Sequence, residues 1–166
     1  MEQNTKVLIK DSKIIEPDFI MVDNDNITIT EPSNWIVPLA TYKHLHDRVK
    51  RSNKVGVYIH TENDRPEDLK SYLEFLPVIG VEFTSPTYGV GYSLAHLIRK
   101  RFQFKRDLRA LGDFTIDHVD FLKRSGFSSM EIKTKQGLGN LKQHHFQPQY
   151  NYQDSFSKSE RPLNSE

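Results

Sequence analysis

The residues best suited to chemistry lie between positions 81 and 113. Gly89-Val90-Gly91-Tyr92-Ser93 separates a strand-like run from an amphipathic one. Two glycines there let something approach the backbone closely, and a helix start offers unpaired N–H groups to an anion. Ser93 adds a hydroxyl, and Arg99, Lys100, Arg101, Lys105, Arg106 and Arg109 follow. The pattern points to a small anion or phosphate-bearing ligand bound by Gly89, Gly91, Tyr92, Ser93, Arg99 and Arg109. A helix terminus contributes only about 0.3–1 kcal/mol toward an anion. Micromolar binding needs roughly 8 kcal/mol, so the arginines must take part. The plain alternative is a tight turn followed by a solvated basic helix face. The loop departs from the dinucleotide fingerprint, since Leu94 stands where a third glycine belongs, and from a P-loop, since no Gly-Lys-Ser/Thr follows.

Proton-transfer candidates are Asp113, Asp117 and His118, the histidine because imidazole titrates near neutrality. No nucleophile elbow accompanies them. Arg109 and Asp113 bracket a strand end and read as a structural ion pair, unless Arg109 serves a ligand. No metal site is expected. His44 and His46 sit two apart on a helical stretch and point to different sides. Asp23 and Asp25 lack the glycine and distal glutamate of a calcium loop. His144-His145 falls in a polar tail. No cofactor is identified.

These groups must be positioned by an α/β fold. Residues 55–60, 78–84, 107–111 and 128–133 read as strands, and 66–76, 92–102 and 115–125 as helices. Thr115 caps the last helix and Gly126 ends it. Residues 39–51 form a helix before the first strand, and 112–114 a turn. About four consecutive βα units follow, forming a parallel sheet, either half-barrel-like or small and doubly wound. Short runs at 6–10, 19–22 and 27–30 suggest an N-terminal β ribbon, with Trp35, the only tryptophan, anchoring it. The expected organisation is a ribbon over 1–34, one α/β domain over 35–135, and a polar tail over 136–166 that is at least partly disordered. Ligands of such sheets bind at the carboxyl ends of the strands. That edge would carry His60, Glu62, Thr84, the glycine loop, Gly112, Asp113 and Lys133.

Composition limits the chemistry. The chain has 166 residues and a formal net charge of +1, so no global field draws it to nucleic acid or membrane. It contains no cysteine, which removes disulfides, thiol nucleophiles and protein-held iron–sulfur clusters. Redox chemistry would need a bound organic cofactor. There is no signal-like start and no apolar run near the ~20 residues of a membrane helix, so a cytoplasmic location is expected.

Taken together, Gly-x-Gly-Tyr-Ser at 89–93, Leu-Arg-Ala-Leu-Gly-Asp at 108–113, Asp117 and Arg124-Ser125-Gly126-Phe127 resemble an uncharacterised bacterial family. That family is usually labelled a probable oxidoreductase involved in sulfite reduction, and its genes lie beside those of sirohaem sulfite or nitrite reductases. The resemblance covers 35–132. It implies a pathway rather than a reaction, with a reductase or its electron donor as partner. The family loop reads Asp-Gly-Arg-Gly-Tyr-Ser, whereas Tyr88 and Val90 stand here; glutamine is usual at His118 and cysteine at Ser125. The first expectation is therefore an accessory protein of assimilatory sulfite or nitrite reduction that binds an anion at the glycine loop. Whether it is an enzyme stays open. The second is a non-enzymatic module docking a reductase through the basic helix and the aromatic tail at Phe146–Tyr152. RNA binding through Arg99-Lys100-Arg101, Phe102 and Phe104 is a remote third, opposed by the balanced charge.

Overall fold

The computed structural model describes residues 5–23 and 33–134. The readings for residues 24–32 and for the tail, with His144, His145 and Phe146–Tyr152, fall outside the described residues.

Among the described residues, eight strands form one sheet in the order β2-β1-β8-β7-β6-β5-β4-β3, curled into a half-barrel. They are β1 (Thr5–Lys10), β2 (Lys13–Ile15), β3 (Ile20–Met21), β4 (Trp35–Pro38), β5 (Val55–His60), β6 (Val78–Glu82), β7 (Asp107–Phe114) and β8 (Ser129–Thr134). From β3 to β8 each strand lies parallel to its neighbour. The helices are α1 (Leu39–Val49), α2 (Val90–Lys100) and α3 (Val119–Ser125). The strand order never reverses along the parallel part, so the sheet is not doubly wound. Crossovers that all turn the same way put the helices on one face.

Several expectations change. Of the runs read as an N-terminal ribbon, 6–10 and 19–22 fall in β1 and β3, and β1 forms a hairpin with β2. β1 also pairs antiparallel with β8 along its whole length, and β3 pairs parallel with β4, so both belong to the main sheet. Trp35 lies inside β4, bridging Ile20 and Val55. Residues 66–76 are not an α-helix. A 3-10 turn over Pro66–Leu69 continues into further tight turns, with Lys70, Tyr72 and Phe75 each bonding back three residues. Pro77 forces the preceding residue to be extended, and Tyr72 and Phe75 turn instead toward His46, with ring centroids 4.8 and 5.1 Å away. Residues 112–114 continue β7 instead of turning. The register shifts there, and Gly112, at φ 147°, absorbs the irregularity.

Alternation along the strands separates two faces. Val57, Ile59, Ile79, Val81, Leu108 and Ala110 point to the helices and form the main core with Leu94, Ile98, Val119 and Leu122. Ile36, Tyr58, Val78 and Leu111 point the other way, into the half-barrel, where Phe19 and Met21 pack on them. Tyr42, on α1, is a flaw in the main core. Its side chain is buried and its hydroxyl meets no hydrogen-bond partner among the described residues. Burial, with Tyr72 nearby, pushes its phenol up to about 12. Tyr42→Phe removes an unsatisfied polar atom at almost constant shape, so it is expected to raise the unfolding free energy by about 1 kcal/mol. A lower urea midpoint would contradict this.

Candidate functional site

α2 begins at Val90, with Gly89 as its N-cap. The two loop glycines have different causes. Around Gly89 there is open space. At Gly91 an added Cβ would sit 2.2 Å from Phe83 Cε1, so this glycine exists for the close approach of an aromatic ring. Phe83 is in turn held edge-on by Tyr92 and Phe114, with centroids 5.0 and 4.9 Å away. Tyr92 donates its hydroxyl to the Pro86 carbonyl at 2.7 Å, which folds the loop back on the helix. Its ring packs edge-on to Phe121 of α3 at 4.6 Å.

Between α2 and α3 this arrangement leaves a cleft of about 350 Å³ lined by Tyr92, Ser93, His96 and Ser125. That volume falls in the range of small-ligand sites. None of the four carries a carboxylate. Ser125 donates to the Phe121 carbonyl at 2.8 Å, while Ser93 reaches the Gly89 carbonyl at only 3.4 Å. The Ser93 hydroxyl is therefore weakly held and can be redirected.

The arginines do not join the loop. Arg99 is buried and donates to three backbone carbonyls: Gly126 at 2.8 Å, Phe104 at 2.8 Å and Arg106 at 2.7 Å. It ties the end of α2 to the segments entering β7 and β8. Phe104 is buried beneath it, so the basic-aromatic run at 99–104 is not a continuous exposed stripe.

Arg109 lies fully buried inside the half-barrel, at the amino ends of the strands. Its Nη2 is 2.7 Å from Asp18 and 2.7 Å from Asp107, and its Nε donates to Ser129 at 3.0 Å. The ion pair foreseen for Arg109 exists, but with other acids. Asp113 bonds Lys133 instead. The side chains of Arg109 and Asp113 are four residues apart on one strand, too far for a contact along β structure. Burial works to raise the Asp107 carboxyl, yet Arg109 and hydrogen bonds from Ser129 and Ser128 outweigh it and hold it below its ordinary value. Asp18 is lowered in the same way, with Arg109 and Lys10 overcoming burial.

Of the proton-transfer candidates, Asp113 and Asp117 are exposed. His118 is the last member of a capping box: its Nδ1 accepts the Thr115 backbone N–H at 3.1 Å.

The carboxyl edge inside the half-barrel holds what the sequence reading partly missed. His60 Nδ1 lies 2.8 Å from Glu82 Oε2. Tyr58 donates its hydroxyl to Asp23, and Thr84 donates to Glu62 at 3.1 Å. Glu131 pairs with Lys6 at 3.7 Å. His60, Glu62 and Thr84 were foreseen at this edge, while Glu82, Tyr58, Asp23 and Glu131 were not. A signal was present: His60 and Glu82 close two consecutive strand-like runs, and parallel neighbours bring such ends side by side.

Among the described residues, no group of three or more histidine or acidic residues could hold a metal ion, and no helix is long and apolar enough to cross a membrane. No curated protein and no solved structure matches the chain. A family described as a bacterial protein of unknown function (DUF934) matches residues 56–163, well over half of the sequence, and the chain belongs to that family.

Proposed function

We propose that the chain is an accessory protein of assimilatory sulfite or nitrite reduction that holds a small anion or phosphate-bearing ligand in the α2–α3 cleft. The pathway rests on the resemblance of the Gly-Tyr-Ser loop and its companion motifs. The ligand class rests on one observation: the cleft is lined by hydroxyls, an imidazole and an aromatic ring, with no carboxylate among them. A bound anion would accept the loosely held Ser93 hydroxyl proton at the end of the first turn of α2, whose dipole favours negative charge. Arg99 and Arg109 take no part, so affinity is modest.

A thermal-shift panel of sulfite, sulfate, phosphate, nucleotides and flavins at millimolar concentration tests this. A ligand at ten times its Kd stabilises by about 1.4 kcal/mol, which is a few degrees for a domain of this size. The double variant Ser93→Ala, Ser125→Ala is expected to abolish the shift. No stabilisation by any member of the panel contradicts the proposal.

One observation favours docking of a reductase or its electron donor on the same face. Tyr88, Val90 and Phe121 are 40%, 37% and 50% exposed. The Arg124 guanidinium lies over the Phe121 ring, 5.9 Å from its centroid. Aromatic and arginine side chains together are what binding hot spots are built from. Tyr88→Ala, which leaves the four cleft-lining residues in place, is expected to weaken capture of the reductase while leaving small-anion stabilisation intact. Unchanged capture removes this reading.

A further inference from the structure

The α2–α3 cleft is larger than an inorganic oxyanion needs. Its volume of about 350 Å³ lies within the ~300–1,000 Å³ typical of organic ligands. A bare sulfite or phosphate would leave most of it to solvent. Its two hydroxyls also differ in what they offer. Ser93 reaches the Gly89 carbonyl only at 3.4 Å, so its proton can turn to a ligand. Ser125 donates to the Phe121 carbonyl at 2.8 Å, so what it offers a ligand is oxygen lone pairs. A phosphate dianion accepts from Ser93 and has nothing to give Ser125. A ligand that satisfies both brings a donor hydroxyl as well as the anion.

An aromatic surface adjoins these groups. α2 and α3 follow the parallel neighbours β6 and β7, so both run back from the carboxyl edge side by side. Tyr92 and His96 lie one turn apart on α2, and Phe121 and Ser125 one turn apart on α3. The Tyr92 and Phe121 rings meet edge-on, with centroids 4.6 Å apart. The groove between the helices therefore has an aromatic end and, about 5.4 Å further along, a polar one. Tyr92 spends its hydroxyl on the Pro86 carbonyl and contributes only its ring. Phe121 is 50% exposed, and the Arg124 guanidinium lies 5.9 Å from its centroid. An open ring with a guanidinium beside it is a platform on which a planar heterocycle stacks.

We propose that this cleft holds a mononucleotide: the phosphate accepts from Ser93, a ribose hydroxyl donates to Ser125 and the base stacks on Phe121. This assignment rests on the anion reading of the cleft and narrows the ligand to a nucleoside phosphate. Stacking uses the π-face that every base has, so the site selects a class of ligand and not one base.

Titration calorimetry of the full chain with inorganic phosphate, ribose 5-phosphate and AMP separates the contributions. All three share the phosphate; the second adds hydroxyls and the third adds the base. Ribose 5-phosphate is expected to bind about two- to tenfold tighter than phosphate, the effect of one hydrogen bond. AMP is expected to bind about five- to 150-fold tighter than ribose 5-phosphate, the effect of one stacked base. Phe121→Leu keeps the carbonyl that Ser125 uses and an apolar contact for Tyr92. It should bring the ratio of AMP to ribose 5-phosphate affinity close to one. Ser125→Ala should do the same to the ratio of ribose 5-phosphate to phosphate. Each ratio is read within one variant, so a general loosening of the cleft cancels. Equal binding of AMP and ribose 5-phosphate by wild type, or a ratio that survives Phe121→Leu, overturns the mononucleotide, while phosphate binding would keep the anion reading. No saturable binding of any of the three up to millimolar concentration overturns both.

Discussion

Arg109→Met is expected to lower the unfolding free energy by about 3–5 kcal/mol, the cost of removing one partner from a buried charge pair. Arg109 is fully buried, and its two acids come from different parts of the chain: Asp18 from the loop before β3 and Asp107 from the start of β7. Without the guanidinium, two carboxylates face each other with Lys10 as the neighbouring cation, 3.1 Å from Asp18 and 3.5 Å from Asp107. Methionine matches the aliphatic stem but satisfies neither acid. The loss should depend on pH. Both carboxyls are held below their ordinary value of 3.8 in the folded protein. A lowered folded pKa gives stability that is present above the unfolded value and lost as pH falls through the folded one. The gap between wild type and variant is therefore full at neutral pH and narrows below about pH 3.8. A urea midpoint equal to wild type at pH 7 would show that Arg109 is not structural.

Gly91→Ala is the second large effect. Alanine normally improves a helix over glycine by about 1 kcal/mol. Here the new methyl would overlap Phe83, whose ring is fixed by Tyr92, Phe114 and Phe127 and cannot simply rotate away. Overpacking of this kind costs about 1–3 kcal/mol, and at 2.2 Å the clash should outweigh the propensity gain. A net loss of about 2 kcal/mol is expected. Gly89→Ala, with nothing within 4 Å, should stay within about 0.5 kcal/mol of wild type. If both variants kept full stability, Gly91 would owe its identity to a ligand rather than to packing.

The elements readable from sequence are those with local signals. α1 and α2 carry apolar residues at helical spacing, β5 and β6 are continuous apolar runs, and Thr115 and Gly126 mark both ends of the last helical segment. Pairing of β1 with β8 joins Thr5 to Thr134, and nothing local encodes so distant a partner. β4 is four residues long and too short to show a period. For the sites, Tyr92 and Ser93 could be placed because loop chemistry is local. Arginine type alone does not say what accepts its hydrogen bonds. Arg99 satisfies itself on carbonyls and Arg109 on an acid 91 residues away, so neither was free to complete an anion site. The His60–Glu82 pair needed strand register, which sequence gives only once two runs are known to be parallel neighbours.

The anion proposed for the α2–α3 cleft is expected there and not at the carboxyl edge. Amide chemical-shift mapping of the full chain with sulfite and, separately, phosphate tests it most directly. Saturable shifts are expected at Tyr92, Ser93, His96 and Ser125 and none at His60 or Glu82. Saturable shifts centred on His60 and Glu82, or no saturable shift anywhere up to millimolar anion, would contradict it.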